Sequence, residues 1–525
     1  MAYIFFGSSP ADVTTDDQGN VVGGITLQVW SQQTGGTRIT DLRDSSGQPL
    51  PGVVESNPTS GADQGRIRFQ ASDQYTVLYL DRGYGDRWMV TSDRLSVIVA
   101  EAVARSQTAI TKAGDALSTS AEAKQSAEHA FNTATKIRTD VTAFGAVGDG
   151  IKDDREAFQA AIDSNPYGAH VIIPKGTYRI GVGKLLLRAG TWLEAEPGAH
   201  IIRSSDDYLL ANGIQGIDTS TAYNGAGNIR ITGGIWDGNG VEFPSKASIM
   251  HLAHAANVIV ERAEFRDVAQ SHHIELNSTQ HALITDCIFR GYIDGTGTAG
   301  NEAIQIDMAY PGATLIGADD GTPCRDITIR SCVFGRSDNP ADIGIGSAIG
   351  SHTQLAGKRH TGVLIDGCTF DQCRGPAVKL LAYTDATVRG CVATSCLMMI
   401  SSVSGDRITL SGNHLKGASS HGIVIDAGTG TIVTGNTLNS VQGLAPNGTD
   451  ASSAITAVSG ATRVQISANV ITDMRQSNTK PAIYVTGSCA AVRVADNIIR
   501  PKITGDQSIY NGATDSTVDA NGNIV

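Results

Sequence analysis

Between Asn228 and Arg500 the chain repeats one short unit. It consists of alternating β-branched residues, a turn, then a small or polar residue two places ahead of an apolar one. The unit reads NVIVERAEF (257–265), ALITDCIF (282–289), DITIRSCVF (326–334), GVLIDGCTF (362–370) and ATVRGCVA (386–393). It goes on as RITLSGNHL (407–415), GTIVTGNTL (430–438), TRVQISANVI (462–471) and VRVADNII (492–499). Its marker positions are Ala263, Cys287, Cys332, Cys368, Cys391, Asn413, Asn436, Asn469 and Asn497, 22 to 24 residues apart where nothing is inserted. A period in the low twenties built from short strands predicts a parallel β-solenoid, because one coil cannot bury its own apolar face and must stack on the next. Stacking at about 4.8 Å pairs each coil's backbone with its neighbours. It also places like residues above one another, so the Asn amides are expected to bond along the axis. A leucine-rich repeat is the competing architecture, but no L-x-x-L-x-L pattern or helical arc separates the strands.

Composition agrees with many tight turns: 60 glycines, 18% charged residues and few aromatics in 525 residues. The net charge of −12, with no basic run, argues against a nucleic-acid partner. The N-terminus lacks a basic and apolar export signal, and no apolar run of about 18 residues predicts membrane insertion. All eight cysteines lie between 287 and 489, and Cys368/Cys373 and Cys391/Cys396 repeat at the coil period. They read as buried thiols in register, so neither a metal site nor a cofactor is expected.

Residues 1–90 alternate in short strands (ITLQVW, RIRFQA, YTVLYL) between Gly, Asp and Pro turns, which predicts a small β-domain. Residues 91–140 are rich in Ala, Glu, Lys and Gln. Val99, Val103, Ser106, Ile110, Ala113 and Leu117 follow a heptad spacing, which predicts a helical coiled-coil neck, with packing on its own chain as the alternative. From 141 to 505 a solenoid is expected, and 506–525 reads as an end segment. At its start, Asp153 or Asp154 can cap a short helix with an Ala157, Phe158, Ala161 and Ile162 face, which would plug the open end of the stack. Asp149, Asp153 and Asp154 accordingly read as turn and capping residues.

Two resemblances add to this. GGITLQVW, RITDLRDSSGQPLPGVV and GRIRFQASDQYTVLYLDRGYGDRW resemble the N-terminal modules of minor tail proteins in phages of Gram-positive hosts, which implies a virion anchor docking on other tail or baseplate proteins. FGAVGDGIKDDREAFQAAI followed by VIIPKGTYRI resembles the start of pectate-lyase-superfamily β-helices, a group that includes phage tailspikes and polygalacturonase-like hydrolases. That implies a mainly β chain built on a right-handed parallel β-helix, but no particular activity, because lyases, hydrolases and non-catalytic spikes share the fold.

Aligning coils by their inward residues gives IMHLAH (249–254), HHIELN (272–277), EAIQID (302–307), SAIGSH (347–352) and PAVKLL (376–381). The outward columns become His251, Glu275, Gln305, Gly350, Lys379 and Ala253, Asn277, Asp307, His352, Leu381, with His273 expected on the same face as Glu275. Glu275 and Asp307 on adjacent coils, offset by two residues, have backbones about 8 Å apart. That suits an inverting glycosidase pair. GGIWDGNG (233–240) and NEAIQID also resemble the polygalacturonase layout, which places Asn301 and Glu302 where that family has Asn and its first Asp, and Asp237 in the glycine-rich turn. Ser347 and Ala348 stand where the family has consecutive Asp, so a hydrolytic site is expected on Asp307, Glu275 and Glu302. His273, His352, Gln305, Lys379, His251, Asn301 and Asp237 are expected to bind substrate. The insertions 291–300 and 309–323 would wall the groove, and His281, His360, His414 and His421 read as surface residues.

The order of modules predicts a homotrimeric phage tail protein, located in the virion, that binds and hydrolyses a host cell-surface polysaccharide. A non-catalytic receptor-binding tail protein and a polysaccharide lyase are the alternatives; a cellular carbohydrate enzyme fits less well without an export signal.

Overall fold

A computed structural model describes residues 3–7, 12–16, 20–75, 77–84, 86–92, 138–293, 302–310, 316–439, 453–472, 481–500, 508–515, 517–518 and 523. The chain divides into two compact units, Met1–Ala130 and Phe131–Val525. In the first, the described strands are antiparallel: Thr26–Trp30 lies between Arg38–Ile39 and Val77–Asp81, and Trp88–Thr91 closes the edge. Alternation puts Leu27, Val29, Leu78 and Leu80 inside with Phe6 and Phe69. Of the predicted coiled-coil neck, 91–140, residues 93–137 lie outside the described residues, while Thr91 ends the strand Trp88–Thr91 and Arg138–Asp140 is a strand rather than helix.

The second unit is a parallel β-helix. Among the described residues, three parallel sheets of 16, 13 and 12 strands run along it, each strand pairing with its equivalents one coil above and below. The repeat explains the register. Phe265, Phe289, Phe334 and Phe370 occupy one position of the unit and stack inside, with ring centroids 5.4, 4.8 and 5.2 Å apart. The residue before each ladder position turns the chain in the left-handed region, from Arg262 (φ 54°) and Asp286 (φ 56°) to Gly412 (φ 63°) and Asp496 (φ 58°). Several of these turns use glycine, which reaches that conformation without a Cβ clash. Cys287, Cys332, Cys368 and Cys391 follow as buried free thiols. Beyond them Asn413 donates from Nδ2 to Asn436 Oδ1 (2.9 Å), Asn436 to Asn469 (2.9 Å) and Asn469 to Asn497 (2.9 Å).

At the N-terminal end, helix Arg155–Asp163 buries Ala157, Phe158, Ala161 and Ile162 in the same core as the coils. Asp153 Oδ1 accepts from Arg155 N (3.0 Å), while Asp154 ties the preceding loop by accepting from Val147 N (2.8 Å) and Gly148 N (3.0 Å). The helical stack runs past 505. Strand Ile509–Asn511 pairs with Ile483–Val485 and Thr517–Val518 with Arg493–Ala495, so the described part of 506–525 adds a final coil to the stack.

Candidate functional site

The candidate site lies on the 12-stranded sheet, on strands Met250–Ala253, Ile274–Asn277, Glu302–Asp307, Ser347–Gly350 and Pro376–Leu381. Their register sets His251 beside Glu275, Glu275 beside Gln305, Gln305 beside Gly350 and Gly350 beside Lys379, with Asn277 beside Asp307. Ile274, Leu276, Ile304 and Ile306 point the other way, into the core, so alternation alone turns the polar residues outward.

Two connected groups result. In the first, Glu275 accepts from Ser248 Oγ (2.8 Å) and Asn277 Nδ2 (2.9 Å), with His251 Nε2 3.8 Å away. Burial alone would raise the Glu275 carboxyl, but His251, His272 and those two hydrogen bonds hold it at about 2. Burial outweighs the nearby Glu275 in lowering His251. Tyr208 covers that imidazole edge-on, centroids 4.9 Å apart.

In the second group His352 Nδ1 donates to Glu302 Oε2 (3.0 Å), and Lys379 Nζ lies 3.6 Å from Glu302 Oε1. Burial opposes ionisation of Glu302, yet the His352 hydrogen bond with His272, His352 and Lys379 nearby brings it down to about 2. The same bond raises His352 against its burial. Asp307 goes the other way: burial raises it, and His352 with the Met308, Thr353 and Gln305 hydrogen bonds only partly offsets this. Gln305 Nε2 donates to Asp307 Oδ2 (3.2 Å) and sits 3.2 Å from His352 Nε2. That orientation suits a neutral imidazole; a half-turn of the amide would let Oε1, which has no hydrogen-bond partner, accept from the imidazolium instead. The side chains differ in access. His352 is 40% exposed, Lys379 30% and Glu275 10%, whereas Asp307 is 1% exposed and Glu302 fully covered. His352 is therefore the most accessible of these side chains, with two carboxyls beneath it.

His272 joins the groups. Its Nδ1 donates to the Glu302 carbonyl (2.7 Å) and lies 3.9 Å from Glu302 Oε2. His272, Glu302 and His352 each offer a ligand-type atom within 4.8 Å of the others, the donor types of a divalent transition-metal site. Both Nδ1 atoms, however, already engage Glu302, and Lys379 stands beside its other oxygen. The set is built as an ion-pair network balanced by the protein's own cations.

Several expected site residues stand elsewhere. His273 is not on the outer face. It is fully buried, packs edge-on against Phe289 and bonds the carbonyls of Gly291 (3.0 Å) and Arg290 (3.3 Å), and burial pushes it down to about 4. The corner that precedes the strand breaks the two-residue alternation there. Asp237 belongs to the 13-stranded sheet, where it pairs with His200 (2.9 Å) and Arg266 (3.1 Å) as a structural ion pair. Asn301 lies outside the described residues. His360, expected at the surface, is fully buried, accepts from Cys324 N (3.1 Å) and is lowered by burial to about 3. His254 bridges the carbonyls of Ala222 (2.8 Å) and Ala318 (3.0 Å), tying the loop after Asn212 to the described part of the second insertion. Residues 294–300 and 311–315 of the two insertions lie outside the described residues. Tyr208 and Ser248 are absent from the expected set; His272 lies in the aligned segment HHIELN, among the histidines expected on this patch, but carries no expected role. Leu210 pairs with the inward Met250, so alternation puts Tyr208 in step with the inward residues, and the coil alignment by itself does not bring it to the site.

Residues 138–335 match the family model described as Rhamnogalacturonase A/epimerase, pectate lyase-like, and residues 312–523 match the one described as Right handed beta helix region. The chain thus carries a pectate-lyase-like, right-handed β-helix region. Among individual proteins, it is similar to plasmin and fibronectin-binding protein A of Streptococcus pneumoniae: 29% identical over 275 residues, 47% of this chain and 38% of that protein. It also resembles the mannuronan C5-epimerase AlgE6 of Azotobacter vinelandii, 33% identical over 142 residues, 24% of this chain and 16% of the epimerase. The chain therefore spans well under half the length of these relatives. In structure, the pneumococcal adhesin superposes with a TM-score of 0.54 at 20% identity, over 74% of this chain and 99% of that one. The Dettilon tailspike protein superposes with 0.51 at 11% identity, over 74% and 70%. Those two likenesses concern the fold.

Proposed function

We propose that this chain is a phage tail protein whose β-helix binds a host cell-surface polysaccharide and hydrolyses it at the Glu275–Glu302–Asp307–His352 cluster. The observation that carries the proposal is the divergence of two acids on one outer face, Asp307 raised and Glu275 held at about 2. Environments that push paired carboxyls apart separate an acid from a base. In this reading the polymer lies across the sheet and His352 gives its proton to the leaving glycosidic oxygen as the C–O bond breaks. Water attacks the anomeric carbon and passes its proton to ionised Glu275. Asp307, under the imidazole, acts through His352 by restoring that proton. Support for the setting comes from the tail-protein resemblance of residues 1–90 and from the fold shared with a tailspike.

The test is release of reducing ends from host cell-wall glycan by the full chain. Asp307→Asn should lower the rate by about 10²-fold with folding intact, the usual scale for a proton-transfer group. An unsaturated, ultraviolet-absorbing product would replace hydrolysis by elimination. A second reading, adhesion without catalysis, is favoured by the 29% identity with a plasmin and fibronectin-binding protein. It predicts glycan or protein binding with no product at all.

A further inference from the structure

The outward column that carries the candidate site continues beyond it. Gly350 and Lys379 are followed in register by Ser401, Val424, Thr456, Tyr484 and Tyr510, one per coil of the 12-stranded sheet. Ile455, Ala457, Ile483 and Val485 point into the core, so alternation turns Thr456 and the tyrosines out. Four coils separate Lys379 from Tyr484, about 19 Å at the strand spacing.

The two tyrosines stack outside the core, with ring centroids 5.3 Å apart and planes 22° from parallel. Tyr484 is partly buried and Tyr510 is 40% exposed. Gly512, two residues on and on the same face, makes room for the second ring. A Cβ there would stand 2.9 Å from the Tyr510 hydroxyl and 3.0 Å from its ring, so the ring lies along the strand over the glycine. Two residues after Tyr484, Thr486 holds its hydroxyl 2.9 Å from that of Ser488. Among the described residues, the stretches 453–462, 481–491 and 508–514 carry no charged side chain. This end of the sheet is aromatic and hydroxylic, where the cluster around Glu302 is ionic.

A pyranose fits such a surface. Its C–H face is apolar and packs on an aromatic ring, and its rim hydroxyls find partners in Thr and Ser. Charge takes no part in that contact, so salt does not screen it.

We infer that Tyr484 and Tyr510 form a second sugar-binding subsite, remote from the acid–base cluster, that takes the apolar ring faces of uncharged sugar units. This rests on the proposed polysaccharide-binding role of the sheet, because only an extended polymer spans the column from Lys379 to Tyr510. Neither tyrosine takes part in the acid–base step, so holding the polymer and cleaving it are separable.

The experiment measures retention of the full chain on immobilised dextran, galactomannan and arabinogalactan, at low and at about 0.5 M salt. At least one of these neutral polymers should retain the protein, equally at both salt concentrations. Tyr510→Ala should weaken retention about tenfold with an unchanged Tm. Tyr510→Phe, which keeps the ring, should not weaken it, and Gly512→Ala, which displaces the ring, should. Retention that Tyr510→Ala and Gly512→Ala both leave unaltered overturns the subsite while sparing the proposed function. Retention abolished at high salt overturns the uncharged class of ligand. No retention on any of the three polymers overturns the subsite, and the absence of product from host glycan as well overturns the proposed function with it.

Discussion

At the level of single residues, access and charge assign different roles to chemically similar groups. His352 is exposed and held by Glu302; His273 is fully buried and held by main-chain carbonyls. Replacing His352 by Gln should remove most polysaccharide cleavage, about 10²-fold or more, with little change in Tm. Because His352 is raised above its ordinary value by its hydrogen bond to Glu302, cleavage that depends on its proton should fall as pH rises through that raised value. A pH–rate profile of the wild type and of Asp307→Asn should differ in the position of that alkaline limb; identical limbs would dissociate Asp307 from His352. His273 gives the opposite expectation, a loss of stability without loss of ligand affinity. Its folded pKa of about 4 lies below the unfolded value near 6.5, so the unfolded state binds more protons between those limits. His273 therefore costs stability as pH falls from about 6.5 toward 4. His273→Leu should flatten part of that decline in thermal melts while losing the two carbonyl bonds. Glu302 acts lower on the scale: depressed to about 2, it stabilises above its ordinary range near 4.5 and that contribution is lost as pH falls through 2.

Among structural elements, the ladders carry the stacking. Asn436 both donates to Asn469 and accepts from Asn413, and its backbone N–H takes Asn469 Oδ1 as well (3.0 Å). Asn436→Ala would leave a buried amide and a buried carbonyl oxygen unpaired, a loss of about 2–4 kcal/mol in chemical denaturation. Truncation at an exposed strand position such as Val470 should cost little by comparison. The ladder was legible in the sequence because identical residues recur at the coil period. Strand direction was legible for the same reason, and the alignment of five coils from their apolar residues reproduces the observed register at Glu275, Gln305 and Lys379. It failed at His273 because the corner before each strand interrupts the alternation that the alignment assumed.

Across the whole molecule, two units with different topologies are joined through a segment of heptad character. No helix among the described residues is long and apolar enough to cross a membrane. If the proposed tail role holds, sedimentation of the full chain should give three times its 54.8 kDa mass, and a monomer at micromolar concentration would count against a tailspike arrangement.

By itself the sequence determined the solenoid, its register, the capping helix and the inward ladders, because each follows from a periodicity that repeats coil after coil. Tertiary structure alone decided which polar residues share the outer face and how deep each one lies. Asp237 fell to another sheet, His273 and His360 turned inward, and Tyr208 came in from the coil before His251. Periodicity reports which side of a strand a residue occupies. Depth beneath a neighbour, and the electrostatic field that sets an acid apart from a base, exist only once separate coils have been stacked.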